Sequence, residues 1–428
     1  MNSLESLLMS LGGERRINYD LTRFKEALHE TQNPERSVYS LIVAGTNGKG
    51  STTLFLSSAL IAAGFRVGTY LSPHLQSPTE RFLENLTPIP ENELWDLAKE
   101  FLPVARKFSL TYFEYLTFLF FHWAKRKQFQ FMVLEVGLGG RLDATNVTQP
   151  IATVLTNIAK DHEQYLGTTL PEILEEKLGV LRPEGLLFTG IKDPVLIKRV
   201  EEKCNELDAI YYYSKELRTE RHHADWQGQV FSVNDHRFEV SNPTPATIEN
   251  AALAFLVCRI AFPKIPIEKI QMAFKCVRTP GRMEVVSTHP RVILSGDHNP
   301  HGIECLKSAL RQLPVDRLTT LCAFSLDKPY REMYQSLKEI SDEILLTTHS
   351  RQSGELPEDY QQLGPFEANP QKAVEKLLKQ THSNDTLLIT GSLYLVGELR
   401  KLWHSKVEFL DVVAKGWERP SRGLGGPK

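Results

Sequence analysis

Short runs of apolar residues alternate along this chain with stretches in which apolar positions recur every three to four residues. Residues 38–44, 67–71, 129–136, 151–156 and 186–189 read as strands. Residues 51–63, 91–107, 112–127 and 171–181 read as helices. Alternation of this kind specifies an α/β fold built on a mainly parallel sheet. Residues 218–238 are more polar and read as strands and turns at the margin of this unit. Thr279-Pro280-Gly281-Arg282 reads as a hinge. Beyond it a second α/β pattern begins, with strands at 291–294, 319–323, 343–346 and 386–390 and helices at 301–313 and 331–340. The Gly-, Pro- and charge-rich stretch 416–428 reads as a disordered tail. No internal repeat is present.

Bulk properties narrow the picture. A chain of 428 residues exceeds one ordinary core and implies two or three domains. The formal net charge of -2 gives no broad attraction to nucleic acid or anionic membrane, so neither is expected as a partner. Cys204, Cys258, Cys276, Cys305 and Cys322 are scattered without a CxxC pair, which fits reduced thiols in a cytoplasmic protein. Residues 1–16 place an acid first and arginines last, opposite to a secretory leader. The most apolar stretch, 112–123, carries Glu114 and His122 and is shorter than the roughly 20 residues a membrane span needs. It reads as a buried helix.

The first chemical signal is Gly45-Thr46-Asn47-Gly48-Lys49-Gly50-Ser51, between an apolar strand and a helix. Glycines let successive backbone N–H groups face one anion, and the helix N-terminus adds partial positive charge. Lys49 can reach terminal phosphates, and Ser51 or Thr52 can offer a hydroxyl to magnesium. The common G-x-x-x-x-G-K-[ST] pattern fails, because Val43 stands at its first glycine and Gly50 separates Lys49 from Ser51. The loop is a variant phosphate cradle.

Other polar groups fall just past strand ends, where open parallel sheets bind ligands. Ser72-Pro73-His74 follows one strand, Glu135 ends another, and Asp161-His162 follows a third. A hydroxyl, a carboxylate and an imidazole beside phosphates form a candidate magnesium site. Lys177 lies four residues from Ile173 and Leu181 and three from Leu174, so it points to the apolar side of its helix. Two readings stand side by side. The lysine snorkels, packing its stem and hydrating its head. Or burial holds the amine neutral, and it has combined with CO2 to give an oxygen-bearing carbamate.

Taken in order, these strings resemble a known family. They are Val43–Ser51, Ser72-Pro73-His74-Leu75, Glu80-Arg81, the long run Leu134 to Asn146, Asp161-His162, Glu176-Lys177, Pro280-Gly281-Arg282, His298-Asn299-Pro300 and Gly391-Ser392. The chain resembles the dihydrofolate synthase/folylpolyglutamate synthase family of the Mur ligase superfamily, over nearly its whole length.

The resemblance implies a phosphate-loop ATPase domain with a mainly parallel sheet (1–282) and a smaller C-terminal Rossmann-like α/β domain (283–415). It implies an ATP-dependent ligase joining L-glutamate to dihydropteroate, and further glutamates to tetrahydrofolate, in a cytoplasmic monomer. ATP contacts are implied for Gly45, Thr46, Asn47, Gly48, Lys49, Gly50, Ser51, Asn250 and Arg282, and magnesium contacts for Ser72, Glu135, His162 and carbamylated Lys177. Catalytic roles fall to Lys49, Lys177, His162 and His298. Thr111, Tyr112, Phe113, Glu114, Leu142, Asp143 and Ala144 match segments that hold dihydropteroate. The chain departs from the family at Ser295-Gly296-Asp297, Asp327-Lys328-Pro329, Thr247 and Asn18-Tyr19-Asp20. These changes touch nucleotide and pterin recognition. A Mur ligase acting on a cell-wall precursor, or a nucleotide-binding regulator without catalysis, are the competing readings.

Overall fold

A computed structural model describes residues 4–11, 20–352 and 356–411. The expected tail 416–428 and the Asn18-Tyr19 pair lie outside the described residues.

Sixteen strands form three sheets among the described residues. The first contains β1 (Tyr39–Ala44), β2 (Val67–Tyr70), β3 (Phe82–Glu84), β4 (Thr87–Pro88), β5 (Phe131–Glu135), β6 (Pro150–Leu155), β7 (Leu186–Thr189) and β8 (Ile210–Tyr213). Their order is β4-β3-β2-β5-β1-β6-β7-β8. All pair in parallel except β3 and β4, which turn back as an antiparallel edge. A three-stranded antiparallel sheet follows, from β9 (Thr219–Asp225), β10 (Gly228–Val233) and β11 (His236–Val240), at the place where the polar stretch predicted strands and turns. The last sheet holds β12 (Glu284–Thr288), β13 (Arg291–Ser295), β14 (Leu318–Cys322), β15 (Glu343–Leu346) and β16 (Thr386–Thr390), in the order β12-β13-β16-β14-β15. Only β12 is antiparallel there.

The predicted strands form because both faces of each large sheet are covered. Parallel strands buried on both sides read as continuous apolar runs. Leu41 and Val43 point into one core and Ile42 and Ala44 into the other. On one face the Lys49–Ala62 helix packs with Pro245–Ala261 and Ile267–Cys276. On the other lies the Tyr112–Lys127 helix, started by a capping box in which Thr111 and Glu114 satisfy each other's backbone N–H. Its apolar run is buried in this core, and no described helix is long and apolar enough to cross a membrane.

Several elements differ from the sequence reading. The helix after the phosphate loop starts at Lys49, not 51, so Lys49 and Gly50 sit in its first turn. The 171–181 helix spans Leu170–Leu178, fixed at its start by the Thr169–Glu172 capping box. The helices Pro245–Ala261 and Ile267–Cys276 stand where the sequence pattern marks no element. The first is buried from Thr247 to Cys258 almost without interruption, so it carries little amphipathic signal.

Candidate functional site

The centre of the large sheet is a switch in connectivity, because the chain leaves β1 toward β2 on one side and later reaches β6 on the other. Such a point opens a crevice beyond the carboxyl ends of the strands. Here β1 runs into Gly45, β2 into Ser72, β5 ends on Glu135, and β6 runs into Thr156 and Asn157. A cleft of about 1290 Å³ lies over these ends and is closed from above by the β12–β16 unit. That is large enough for a nucleotide and a second organic substrate together.

The loop after β1 is held by the segment after β6. Asn157 O accepts from Thr46 N (2.9 Å), and Asn157 Oδ1 accepts from Asn47 N (2.9 Å). Thr156 donates to Asn47 O at 2.7 Å, while Thr46 exchanges hydrogen bonds with the Ala159 backbone at 3.0–3.1 Å. Gly48 takes φ +81°, and a Cβ there would lie 2.2 Å from Asn250 Oδ1. Asn250 thus abuts the loop, although 202 residues separate the two positions in the chain. Lys49 Nζ donates to Thr46 O at 3.0 Å. Burial lowers its pKa, against the pull of Glu135 and Asp161.

Glu135 is 6% exposed, and its carboxylate accepts from Ser72 N at 2.9 Å. Burial pushes its pKa up, with Lys49 opposing. A hypothetical Cβ on Gly50 would lie 3.3 Å from the same carboxylate, so the loop sits close against it. Lys177 is 4% exposed, and its Nζ donates to Gly45 O at 3.0 Å. The snorkelling reading is therefore corrected: the head ends under the phosphate loop and not in solvent. Burial, then the charge of Lys49, brings its pKa to about 7. Gly140 packs so tightly on the Lys177 turn that an added Cβ would lie 2.9 Å from Lys177 O. The Leu138–Ala144 string and the lysine helix are thus one packed unit.

That string also shapes a second wall. Asp143 accepts from Gly137 N, Leu138 N, Thr145 N and Thr145 Oγ1 at 2.6–3.0 Å. Its carboxylate is spent on the loop's own backbone, so it builds the wall on which Leu142 and Ala144 sit. Phe113 lies against Gly137, whose hypothetical Cβ would be 2.5 Å from the ring. Arg81 lies 5.6 Å from the Tyr112 ring centre. Thr111, Tyr112, Phe113 and Glu114 therefore share one side of the cleft with Leu142, Asp143 and Ala144.

The upper unit meets the lower one at Asp161, a contact the sequence reading missed. Asn299 Nδ2 donates to Asp161 Oδ2 (2.9 Å) and Asn47 Oδ1 (3.0 Å). Lys328 pairs with Asp161 Oδ1 and reaches within 3.4 Å of His162 Nε2. His298 Nε2 lies 3.8 Å from Asp161 Oδ2. Burial works to raise the Asp161 pKa, but His298, His162 and Lys328 outweigh it and hold the carboxyl below its usual range. Burial also brings both imidazoles down to about 4. The Lys328 side chain is the group paired directly with Asp161 across the two units. Arg282 Nη1 donates to Gly296 O at 3.0 Å, and Ser295 Oγ donates to Asp297 at 2.6 Å; Arg282, Ser295 and Asp297 all line the cleft.

Replacing Lys328 by Ala leaves Asp161 buried without its cation, which costs about 3 kcal/mol. The expected result is a lower melting temperature and a weakened closed arrangement, read by calorimetry and by faster proteolysis between the two units. An unchanged melting temperature and digestion pattern would show that this ion pair does not hold the units together.

A two-unit α/β protein with a glycine-rich loop at its sheet centre and a second α/β unit above it has the architecture of a Mur-type ligase. Residues 43–258 match the Mur ligase middle domain, and residues 281–393 match the Mur ligase glutamate ligase domain. The chain is 32% identical over 374 residues to a dihydrofolate synthase/folylpolyglutamate synthase of Escherichia coli, covering 84% of this chain and 85% of that protein. It is 29% identical over 406 residues to the protein of the same name from Bacillus subtilis, covering 89% and 94%. Its structure is similar to Mycobacterium tuberculosis folylpolyglutamate synthase complexed with ADP, at TM-score 0.87 and 25% identity, over 94% of this chain and 99% of that one. This chain belongs to the dihydrofolate synthase/folylpolyglutamate synthase family of Mur ligases.

Proposed function

We propose that this protein joins L-glutamate to dihydropteroate at the expense of ATP, and adds further glutamates to tetrahydrofolate. One observation carries the reading: a single cleft unites the phosphate loop, the buried Glu135–Lys177 corner and the Thr111–Glu114/Leu142–Ala144 wall. Similarity to a folylpolyglutamate synthase complex with AMPPCP and folate (TM-score 0.82, 25% identity, 93% of this chain and 98% of that one) supports the pairing of a nucleotide with a folate there.

A carboxylate resists an amine because oxide is a poor leaving group. ATP removes the obstacle. A carboxylate oxygen of the pteroyl substrate attacks the γ-phosphorus, the bond to ADP breaks, and its electron pair leaves with ADP. The amino nitrogen of glutamate then attacks the acyl carbon, and phosphate departs as the amine loses its proton. Lys49 and the loop N–H groups hold the β- and γ-phosphates. Asn250 and Arg282 hold the rest of the nucleotide. His298 enters from the upper unit, so closure is needed to complete the site and to exclude water from the acyl phosphate.

Among the described residues no three His, Cys, Asp or Glu side chains gather as a metal cluster. A magnesium ion beside phosphates does not need one, because it takes hydroxyl and phosphate oxygens. The corner fits it: Ser72 Oγ is buried with no hydrogen-bond partner, next to a buried carboxylate. Ser72, Glu135, His162 and carbamylated Lys177 would hold the ion, which supplies charge compensation for the phosphates. A lysine of pKa about 7 has a neutral amine available near neutral pH. Its nitrogen bonds to CO2 and releases one proton. The product anion offsets the nearby Lys49 charge. The domain division at 282/283, a monomeric state and a cytoplasmic location belong to the same reading.

Purified protein given ATP, magnesium and L-glutamate should release phosphate with dihydropteroate and with tetrahydrofolate as paired acceptors. Product with only one of them assigns a single activity. No product with either, from folded protein, contradicts the proposal.

A further inference from the structure

The chain crosses between the two units twice. It enters the upper unit through 279–282 and returns after the Leu393–Arg400 helix. On the return, Val407 and Phe409 are buried in the core of the lower unit, with Leu410 packed against it, while Lys406 and Glu408 face outward. Leu410 bridges Val277 antiparallel, with Arg278 N donating to Phe409 O at 2.9 Å and Asp411 N donating to Cys276 O at 2.8 Å. Arg278 and Asp411 also pair through their side chains. The approach to the hinge is therefore two strands wide. A single strand turns freely about its φ and ψ angles, whereas two hydrogen-bonded strands must turn together.

A loop of the lower unit makes the opposite insertion. Leu75 packs against the upper core, and Gly397 meets it so closely that a Cβ there would lie 2.0 Å from Leu75 O. Buried Glu80 holds this loop in shape by accepting from Leu75 N, Gln76 N and Ser77 N at 2.7–2.9 Å. One guanidinium joins all of these segments. Arg400 is 4% exposed and donates to both carboxylate oxygens of Glu284 at 2.8–3.1 Å. Glu284 in turn accepts from Gly281 N, in the hinge, at 2.8 Å. Arg400 Nη1 donates to Lys406 O on the returning segment at 2.9 Å and to Gln76 Oε1 on the loop at 3.3 Å. Gln76 Nε2 completes the ring by donating to His404 O at 3.0 Å.

We propose that Arg400 is a positioning residue for the ligase reaction: by joining the hinge, the returning segment 404–411 and the 75–77 loop, it holds the upper unit in the pose that keeps water from the acyl phosphate. The inference rests on the ligase reading above. Arg400 acts through neighbours that line the cleft, Leu75 on the loop and Arg282 beside Gly281. When the pose loosens, a water oxygen bonds to the acyl carbon and the bond to the phosphate oxygen breaks. The electron pair leaves with phosphate, the pteroyl carboxylate is regenerated and one proton is released. ATP is then consumed with no amide formed.

The test measures phosphate and amide product in the same reaction of the full chain, with ATP, magnesium, L-glutamate and whichever of dihydropteroate and tetrahydrofolate it accepts. The ratio of the two does not depend on how much of a preparation is folded. A merely structural role therefore lowers the rate and leaves the ratio alone. Wild type should release about one phosphate per amide, and Arg400→Ala should raise that ratio at least about threefold. Arg400→Lys, which keeps the charge and loses the fork, should fall between them. Gln76→Ala removes only the loop's link to Arg400 and His404, leaves the Arg400–Glu284 pair intact, and should also raise the ratio. An unchanged ratio in folded Arg400→Ala overturns the assignment. Should that variant fail to fold, a raised ratio in Arg400→Lys or Gln76→Ala supports it, and an unchanged ratio in both overturns it. A wild type that forms no amide with either acceptor instead defeats the ligase reading.

Discussion

Lys49→Ala should reduce phosphate release by roughly 10³-fold at saturating ATP, because a preorganised cation facing a transferring phosphoryl group is worth several kcal/mol in a dry site. The geometry gives this lysine no substitute. Its Nζ is anchored on Thr46 O, inside the loop that Asn157, Thr156 and Ala159 hold in place. Lys177 offers no second cation, because its Nζ donates to Gly45 O and is the nitrogen that the proposed carbamate occupies. Because these loop contacts do not involve the Lys49 side chain beyond the one bond to Thr46, the variant should keep its melting temperature. Activity within roughly threefold of wild type would remove Lys49 from the phosphate machinery.

Lys177→Ala is the second large effect. On the proposed role, truncation removes the carbamate and leaves a hole under the loop, with an expected loss of roughly 10²- to 10³-fold in kcat. A short-chain carboxylate such as acetate fits the vacated space and carries the same oxygens. It should restore part of the rate in the variant and none in wild type. That rescue separates a ligand role from a packing role, since a merely structural lysine would not be replaced by added anion. Full activity in the variant would refute the carbamate.

Both residues were legible in the sequence for physical reasons. The strand, glycine-rich turn and helix around Lys49 form a local pattern. Lys177 announces itself by spacing from Ile173 and Leu174, which the structure buries completely. Spacing could not choose between snorkelling and burial, because that depends on what lies above the helix. What lies above is Gly45, more than a hundred residues earlier in the chain. The same limit hid the Asp161–Lys328 pair, separated by 167 residues and joining two units with no shared local pattern. The Pro245–Ala261 helix, which carries Asn250, was obscure for the opposite reason. It is buried on nearly every side, so its sequence lacks the polar face that would mark a helix.

The departures from the family pattern also acquire a physical setting. Pro329 replaces an acid, yet Lys328 still reaches Asp161 across the cleft. Ser295 stands where an Asp is expected, and it donates to Asp297, whose carboxyl burial pushes upward. Asp297 thus lines the cleft, two positions from the expected acid. The remaining positions that the resemblance assigns to phosphate and magnesium keep the expected residues.

The central claim is that this cleft activates a carboxylate by phosphorylating it. Dihydropteroate carrying ¹⁸O in its carboxylate tests that directly, with the protein, ATP, magnesium and L-glutamate. The account predicts that one ¹⁸O atom per turnover appears in the released inorganic phosphate, because the oxygen that attacks the γ-phosphorus leaves with it. Dihydrofolate formed with ¹⁸O absent from phosphate, or with the label in AMP, would contradict it.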